Sequence, residues 1–151
     1  MRERISQEEA KRFLRGPREA AQELAARLEQ LRRWREAAQG GGLAYGRERV
    51  QEQGRNRLEV FACELADLEQ EAEAARQRAR ALRLEQEAVL ARLKDARLRQ
   101  LLRLYYQCGF TWGETADHMS YSERQVLRLH REALAQVAEI LQEVGECHLA
   151  S

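Results

Sequence analysis

The polar side chains best suited to chemistry lie in one short stretch, SERQVLRLHR, at residues 122–131. Arginine can donate two hydrogen bonds to one guanine, glutamine can pair similarly with adenine, and glutamate can accept from cytosine. Residues three and four apart share one side of an α-helix. In a helix, this stretch exposes Glu123, Arg124, Gln125, Arg128 and Arg131 together. The adjacent Tyr121 and Ser122 can contact phosphate oxygens, so the pattern predicts a surface that binds double-stranded DNA.

Two short helices around a tight turn would position this surface. Thr111 and Ser122 are each followed three residues later by Glu or Gln, which is the spacing of a capping box at a helix start. Ala116 is small where the two backbones would touch, and Ser120 lies in the turn. Inward-facing apolar side chains are predicted at Met119, Tyr121, Val126 and Leu129. The pattern predicts a helix-turn-helix, whose second helix lies in the major groove.

A further helix precedes this pair. Its predicted inward residues are Leu98, Leu101, Leu102 and Tyr105, and Gly109 is predicted to end it in a left-handed conformation. The last helix is predicted to run to residue 141 or 144. The predicted C-terminal domain is therefore 95–151. It contains six Lys and Arg against eight Asp and Glu, and this net charge of −2 opposes phosphate binding.

Residues 1–94 are predicted to form a helical assembly region. The first helix is predicted to begin at Ser6, to break or kink at Gly16-Pro17, and to continue to about Ala38. Its apolar stripe is predicted at Ala21, Leu24, Leu28, Leu31 and Ala38. Five glycines within residues 39–55 predict a flexible loop; a phosphate-binding role is not supported, because no Lys-Ser/Thr pair is present.

The second long helix is predicted over residues 56–93. Its alternating three- and four-residue spacing includes Leu58, Phe61, Leu65, Leu68, Ala72, Ala75, Ala79, Leu82, Gln86, Val89 and Leu93. Such a stripe predicts a partner helix along its length. We expect the first helix to fold back as an antiparallel hairpin, or coiled coil, and a second protomer to cover the remainder. The region therefore predicts a homo-oligomer.

Composition is typical of an all-α protein. Charged residues make up 34% of the chain and aromatic residues 6%, with one proline and no alternating β-branched runs. No run approaches the roughly 18 apolar residues of a membrane span, and no apolar signal core is present. The expectation is a cytoplasmic protein without membrane contact. Cys63 and Cys108 are expected to be buried free thiols, and Cys147 lies near the C-terminus.

Catalysis is not expected. Neither Cys nor His has metal-ligand spacing, and no nucleophile, catalytic constellation or cofactor motif is present. His130 is adjacent to the arginine surface and is expected to pack or to face phosphate. Trp34 and Trp112 are interpreted as packing residues. No catalytic, metal or cofactor residue is therefore assigned.

The segment WGETADHMSYSERQVLRLHREAL, residues 112–134, resembles region 4 of bacterial primary sigma factors, the helix-turn-helix that recognises the −35 promoter element. The matching positions are Glu114, Ala116, Ser122, Val126 and Ala133-Leu134. The whole chain is similar to small phage and prophage proteins of the ArpU/RinA type. In that family a helical hairpin precedes a sigma-like module containing YS-x-RQV-x-RLH-x-x-AL, which is found here at residues 121–134.

This resemblance implies a phage or prophage regulator that activates late genes in the cytoplasm of a bacterial host. It implies DNA binding through Arg124, Gln125, Arg128 and Arg131, and it suggests contact with host RNA polymerase. Two alternatives remain. One is a coiled-coil adaptor that binds RNA polymerase or another protein without DNA, which the negative charge of residues 95–151 favours. The other is a small terminase-like DNA-packaging subunit that assembles as a ring.

Overall fold

The computed structural model describes residues 3–39 and 51–150, without the side chains of 51–53 and 147–150. These residues form five α-helices and one π-helical segment and contain no strand, which confirms the all-α prediction. The helices are α1 (Gln7–Gln39), α2 (Gln51–Arg92), α3 (Ala96–Leu102), α4 (Trp112–Met119) and α5 (Glu123–Ala150), and the π-helical segment is Arg103–Gln107. No helix in the described ranges is long and apolar enough to cross a membrane.

The three predicted capping boxes are present. At the start of α1, the Ser6 backbone N–H donates to Glu9 Oε2 at 3.1 Å, and the Glu9 N–H donates to Ser6 Oγ at 3.2 Å. Thr111 with Glu114 and Ser122 with Gln125 make the same reciprocal bonds before α4 and α5. These bonds satisfy backbone donors that a first turn leaves without intrahelical acceptors. Local sequence therefore determines where these three helices begin.

Of the predicted break or kink at Gly16-Pro17, the break was wrong, because α1 continues through Pro17, and the kink stays a prediction. Proline inside a helix removes one backbone donor from the hydrogen-bond ladder. Gln86 of α2 donates its amide hydrogen to the Leu14 carbonyl oxygen at 2.8 Å, and Gln86 is only 1% exposed. A donor from another helix thus satisfies a buried carbonyl in the turn that precedes the proline.

Described residues divide into two compact units. Unit 1 comprises residues 1–19 and 80–151, and unit 2 comprises residues 20–79. The core of unit 1 joins residues of α1, the end of α2, and α3 to α5, including Ala10, Leu14, Leu90, Leu134 and Val137. The predicted domain boundary between residues 94 and 95 stays a prediction. The two compact units are defined by contacts between residues, and by that criterion unit 1 includes the first turns of α1 and the end of α2.

Helix α5 is longer than predicted and ends at Ala150. Val137 and Ile140 belong to the unit 1 core, and Val144 packs partly buried against it. The Ile5 backbone N–H also donates to Gln142 Oε1 at 3.0 Å. Packing against the N-terminal residues therefore extends along the later turns of α5.

Unit 2 contains the remainder of α1 and most of α2. Trp34 stacks on Phe61 with ring centroids 4.9 Å apart, and Leu31 is 6% exposed. Two ion pairs join the helices at exposed positions, Arg27–Glu71 at 2.6 Å and Arg35–Glu69 at 3.0 Å. Exposed pairs of this kind contribute little stability, so the apolar contacts dominate.

Several positions in unit 2 differ from the predicted stripes. Ala20 is buried instead of Ala21, and Trp34 packs inward, whereas Leu28 is 38% exposed. Helix α2 begins at Gln51, before the expected start at residue 56, while most of the predicted glycine-rich loop, residues 40–50, lies outside the described residues.

The expectation that Cys63 and Cys108 are buried was wrong, because both thiols are exposed. Cys63 lies on α2 but away from the side that packs, and Cys108 follows the π-helical segment. Helical spacing indicates which residues share a side and does not determine which side is covered. The side chain of Cys147 lies outside the described residues.

Candidate nucleic-acid interface

The turn between α4 and α5 is tight and begins with a left-handed residue. Ser120 has φ 60° and ψ 40°, and its backbone N–H donates to the carbonyl oxygens of Ala116 and Asp117. The Tyr121 N–H donates to the Ala116 carbonyl at 3.0 Å. Ala116 is 3% exposed and Val126 is fully buried, so small and apolar residues occupy the contact between the helices. This turn fixes the direction in which α5 leaves α4.

The first turns of α5 present an arginine-rich surface. An open, shallow pocket with a volume of about 440 Å³ lies on this surface. Five exposed residues line it: Ser122, Arg124, Gln125, Arg128 and Arg131. Helical periodicity places these side chains together, and the burial of Val126, Leu129 and Ala133 orients the helix so that they face outward. We call these five residues the arginine face.

The guanidinium groups of this face have no carboxylate partner within the part of the chain that the structure describes. Elsewhere in unit 1, Arg92 pairs with Glu143 at 2.7 Å and Arg103 with Glu87 at 2.9 Å. Arg124, Arg128 and Arg131 can therefore bind an external acceptor without first breaking an ion pair. Such groups suit bidentate contacts with guanine or phosphate.

Of the residues predicted to contact bases, Gln125 is already hydrogen-bonded and Glu123 lies outside the arginine face. Gln125 Oε1 accepts from the Ser122 N–H at 2.9 Å, which directs the amide toward the helix start. Glu123 does not line the arginine face. Its Oε1 lies 3.0 Å from the position of a Cβ built on Gly113, near the start of α4. Among the predicted site residues on α5, the three arginines are therefore the ones that lie on the arginine face with no side-chain hydrogen-bond partner in the described residues.

Tyr121 is half-buried at the edge of the interface. Asp95, and to a smaller extent Tyr121, raise the pKa of the Arg97 guanidinium by accepting hydrogen bonds from it. Arg97 also pairs with Asp95 at 3.0 Å. The Tyr121 hydroxyl therefore lies beside the Arg97–Asp95 ion pair. A phosphate bound by Tyr121, as predicted, would lie beside this pair as well.

An aromatic cluster with two buried members, Tyr106 and His130, and two half-buried members, Tyr105 and Trp112, packs against the inward side of α5. The Tyr106 hydroxyl lies 2.7 Å from His130 Nε2, and His130 is 6% exposed. Trp112 stacks on Tyr105 at 3.8 Å and meets His130 edge-on at 4.5 Å. His130 therefore packs inside the fold, and Trp112 belongs to an aromatic cluster that sequence analysis missed. These residues are separated in sequence, so no local pattern indicated their contact.

The pKa values of His130 and Tyr106 are both shifted so that each side chain stays neutral. Burial, with nearby Lys11 and Arg15, lowers the pKa of His130 from 6.5 to about 4. Burial also raises the pKa of the Tyr106 hydroxyl above its ordinary value. Both side chains are therefore neutral near pH 7, and their hydrogen bond holds α5 against the π-helical segment that follows α3.

Helix α1 adds positive charge to unit 1. The Arg18 guanidinium lies against Gly109, 2.3 Å from the position of a Cβ built there, and Gly109 has φ 75°. Residues 1–19 and 80–151 contain sixteen Lys and Arg against fourteen Asp and Glu, a net charge of +2. The negative balance of residues 95–151 is therefore reversed within the unit that folds together. Residues 1–19 and residues 80–94 each add +2, and local sequence did not indicate the first contribution because α1 is distant in the chain.

No group of three or more His, Cys, Asp or Glu in the described residues gathers as a metal site. Comparison with protein-family models found no match, and comparisons with curated proteins and with solved structures also found none. Function is therefore inferred from the residues and their geometry.

Proposed function

We propose that this protein is a sequence-specific DNA-binding transcriptional regulator in which α4 and α5 act as a helix-turn-helix. The observation that supports this most is the arginine face, with Arg124, Arg128 and Arg131 exposed at the start of α5 and unpaired with any described carboxylate. A recognition helix contacts base edges with its N-terminal residues. Ser122, at the same end, is exposed, and its hydroxyl, which accepts from the Gln125 N–H, keeps a hydrogen that could be donated to a phosphate.

The resemblance of residues 112–134 to sigma factor region 4 and of the whole chain to the ArpU/RinA type extends this proposal. We infer a phage or prophage activator of late genes that acts in the bacterial cytoplasm and contacts host RNA polymerase. Residues 95–151 alone have a net charge of −2, which opposes phosphate binding, whereas unit 1 as a whole has a net charge of +2, which favours it.

Self-association through an antiparallel hairpin of α1 and α2 completes the proposal. Within unit 2, contacts pair later positions of α1 with earlier positions of α2, as in Trp34–Phe61 and Arg27–Glu71. Leu58, on the predicted apolar stripe of α2, is 50% exposed, which leaves this end of the stripe available to a second protomer. Two DNA-binding units joined in this way would gain affinity for repeated half-sites.

The test is quantitative binding to a duplex selected from a randomised library. Arg128→Ala should weaken binding to that duplex by about 5- to 150-fold, corresponding to ~1–3 kcal/mol for a bidentate base contact. Arg80→Ala is the matched control, because Arg80 is exposed on α2 in the same unit. Unchanged affinity in Arg128→Ala, with both variants folded, would contradict the proposed role of α5.

A protein-binding adaptor is the second candidate, favoured by the acidic residues on the later turns of α5, such as Glu139, Glu143 and Glu146. Salt dependence separates the two. Phosphate contacts release counterions, so affinity for DNA should fall steeply between about 50 and 200 mM salt. Absence of duplex binding at low salt, together with binding to RNA polymerase, would favour the adaptor.

A further inference from the structure

One apolar side chain interrupts the charged surface at the start of α5. Leu127 is 39% exposed and lies outside the core of unit 1, whereas its neighbour Val126 is fully buried. It follows Arg124 by three residues and precedes Arg131 by four, so all three share one side of the helix. At 3.6 residues per turn, Leu127 lies about 40° around the helix from Arg131 and about 60° from Arg124. It borders the arginine face.

Packing does not account for an exposed leucine here. The core side of the same turns is already occupied by Val126, Leu129 and Ala133, which are at most 7% exposed. The surrounding exposed positions are polar or charged. Leu127 therefore presents an apolar contact among hydrogen-bond donors, at the end of α5 that the proposed function directs toward base edges.

The major groove offers one apolar group in unmodified DNA, the C5-methyl of thymine. Cytosine presents only a small C5–H at the same place, and the other base-edge groups are hydrogen-bond donors or acceptors. The neighbouring arginines can donate to the acceptors, whereas a leucine can form none of these hydrogen bonds. We propose that Leu127 is a specificity-determining residue that selects a thymine by contacting its C5-methyl, beside bases contacted by Arg124 and Arg131. This inference rests on the proposed function and names one base that its site should contain.

Selection from a randomised duplex library, done in parallel with the native protein and Leu127→Ala, gives the first test. The native protein should select a motif with a thymine whose preference disappears in Leu127→Ala, while preferences at the other positions remain. Leu84→Ala is the matched control, because Leu84 is a leucine on α2 in the same unit and is 61% exposed. It should leave the whole motif unchanged.

Deleting the methyl group tests the contact itself. Replacing that thymine by uracil removes only the C5-methyl and should weaken native binding about fourfold, the effect of one buried methylene-sized group. The same replacement should have no effect on Leu127→Ala. Conversely, with a C·G pair at that position, 5-methylation of the cytosine should strengthen native binding by a similar factor and leave Leu127→Ala unaffected.

The outcomes distinguish the two proposals. A native protein that binds no duplex at low salt would refute the proposed function and this inference with it. A selected motif without a Leu127-dependent thymine, or equal losses with uracil in both proteins, would refute the inference while the proposed function stands. The inference would also be refuted if folded Leu127→Ala bound every duplex more weakly by the same factor, because a contact that weakens all sequences equally does not select a thymine.

Discussion

Lowering the pH from 8 to 5 should destabilise unit 1 through His130. The imidazole is 6% exposed and bonded to Tyr106, and burial, with Lys11 and Arg15 nearby, lowers its pKa to about 4. In the unfolded chain its pKa returns to about 6.5, so the unfolded state binds the proton first. The stabilisation is therefore present above about pH 6.5 and is lost progressively as the pH falls toward 4.

The size of the effect follows from the difference in pKa. A shift of about 2.5 units, at ~1.4 kcal/mol per unit, sets the maximum loss near 3 kcal/mol. Because the folded state begins to bind the proton only near pH 4, about 2 kcal/mol of this should be lost between pH 8 and pH 5. Carboxylates such as Glu87, whose pKa is lowered by Arg103, contribute mainly below this range.

Denaturant unfolding followed by tryptophan fluorescence measures this loss. A Trp34→Phe background leaves Trp112, which contacts His130, as the reporter of unit 1. His130→Gln is the control, because glutamine can keep a hydrogen bond to Tyr106 and does not titrate. Its free energy of unfolding should change little between pH 8 and 5. If native and His130→Gln proteins lose the same stability over this range, the assignment of the pH dependence to His130 is refuted.

Two further predictions concern packing within unit 1. Gln86→Leu should lower the free energy of unfolding by about 1–3 kcal/mol, because the buried Leu14 carbonyl loses the hydrogen bond from Gln86. The control Gln100→Leu, at an exposed position, should change the free energy of unfolding by under about 0.5 kcal/mol. Equal losses of stability in the two variants would contradict the role of Gln86. Gly109→Ala should cost about 1–2 kcal/mol, because φ 75° disfavours a side chain and Arg18 occupies the space. Most of the stability lost in Gly109→Ala should also be lost when the same change is made in an Arg18→Ala background, because the positive φ remains. If Gly109→Ala costs nothing in that background, the loss comes only from the close approach of Arg18 and the argument from φ is refuted.

Sequence alone determined most of the local structure. The three capping boxes, the left-handed Gly109 and the turn at Ser120 were all predicted at the residues where they occur. Each depends on a side chain or a backbone preference within about four residues of the group that it satisfies. The exposure of Arg124 and Arg128 also followed from helical periodicity, because the apolar Val126 and Leu129 define the opposite, inward side of the helix.

Only the tertiary structure decided what depends on residues far apart in the chain. Helix α1 continues through Pro17, and the carbonyl of Leu14 in the preceding turn accepts a bond from Gln86, 72 residues further along the chain. His130 becomes a buried neutral group because Tyr106 and the first turns of α1 pack around it. Residues 1–19, which include those turns, add a net charge of +2, and residues 80–94 add another +2, so the −2 of residues 95–151 becomes +2 in the compact unit. Spacing along one helix shows which side chains share a side, whereas burial, ionisation and local charge depend on what packs against that side.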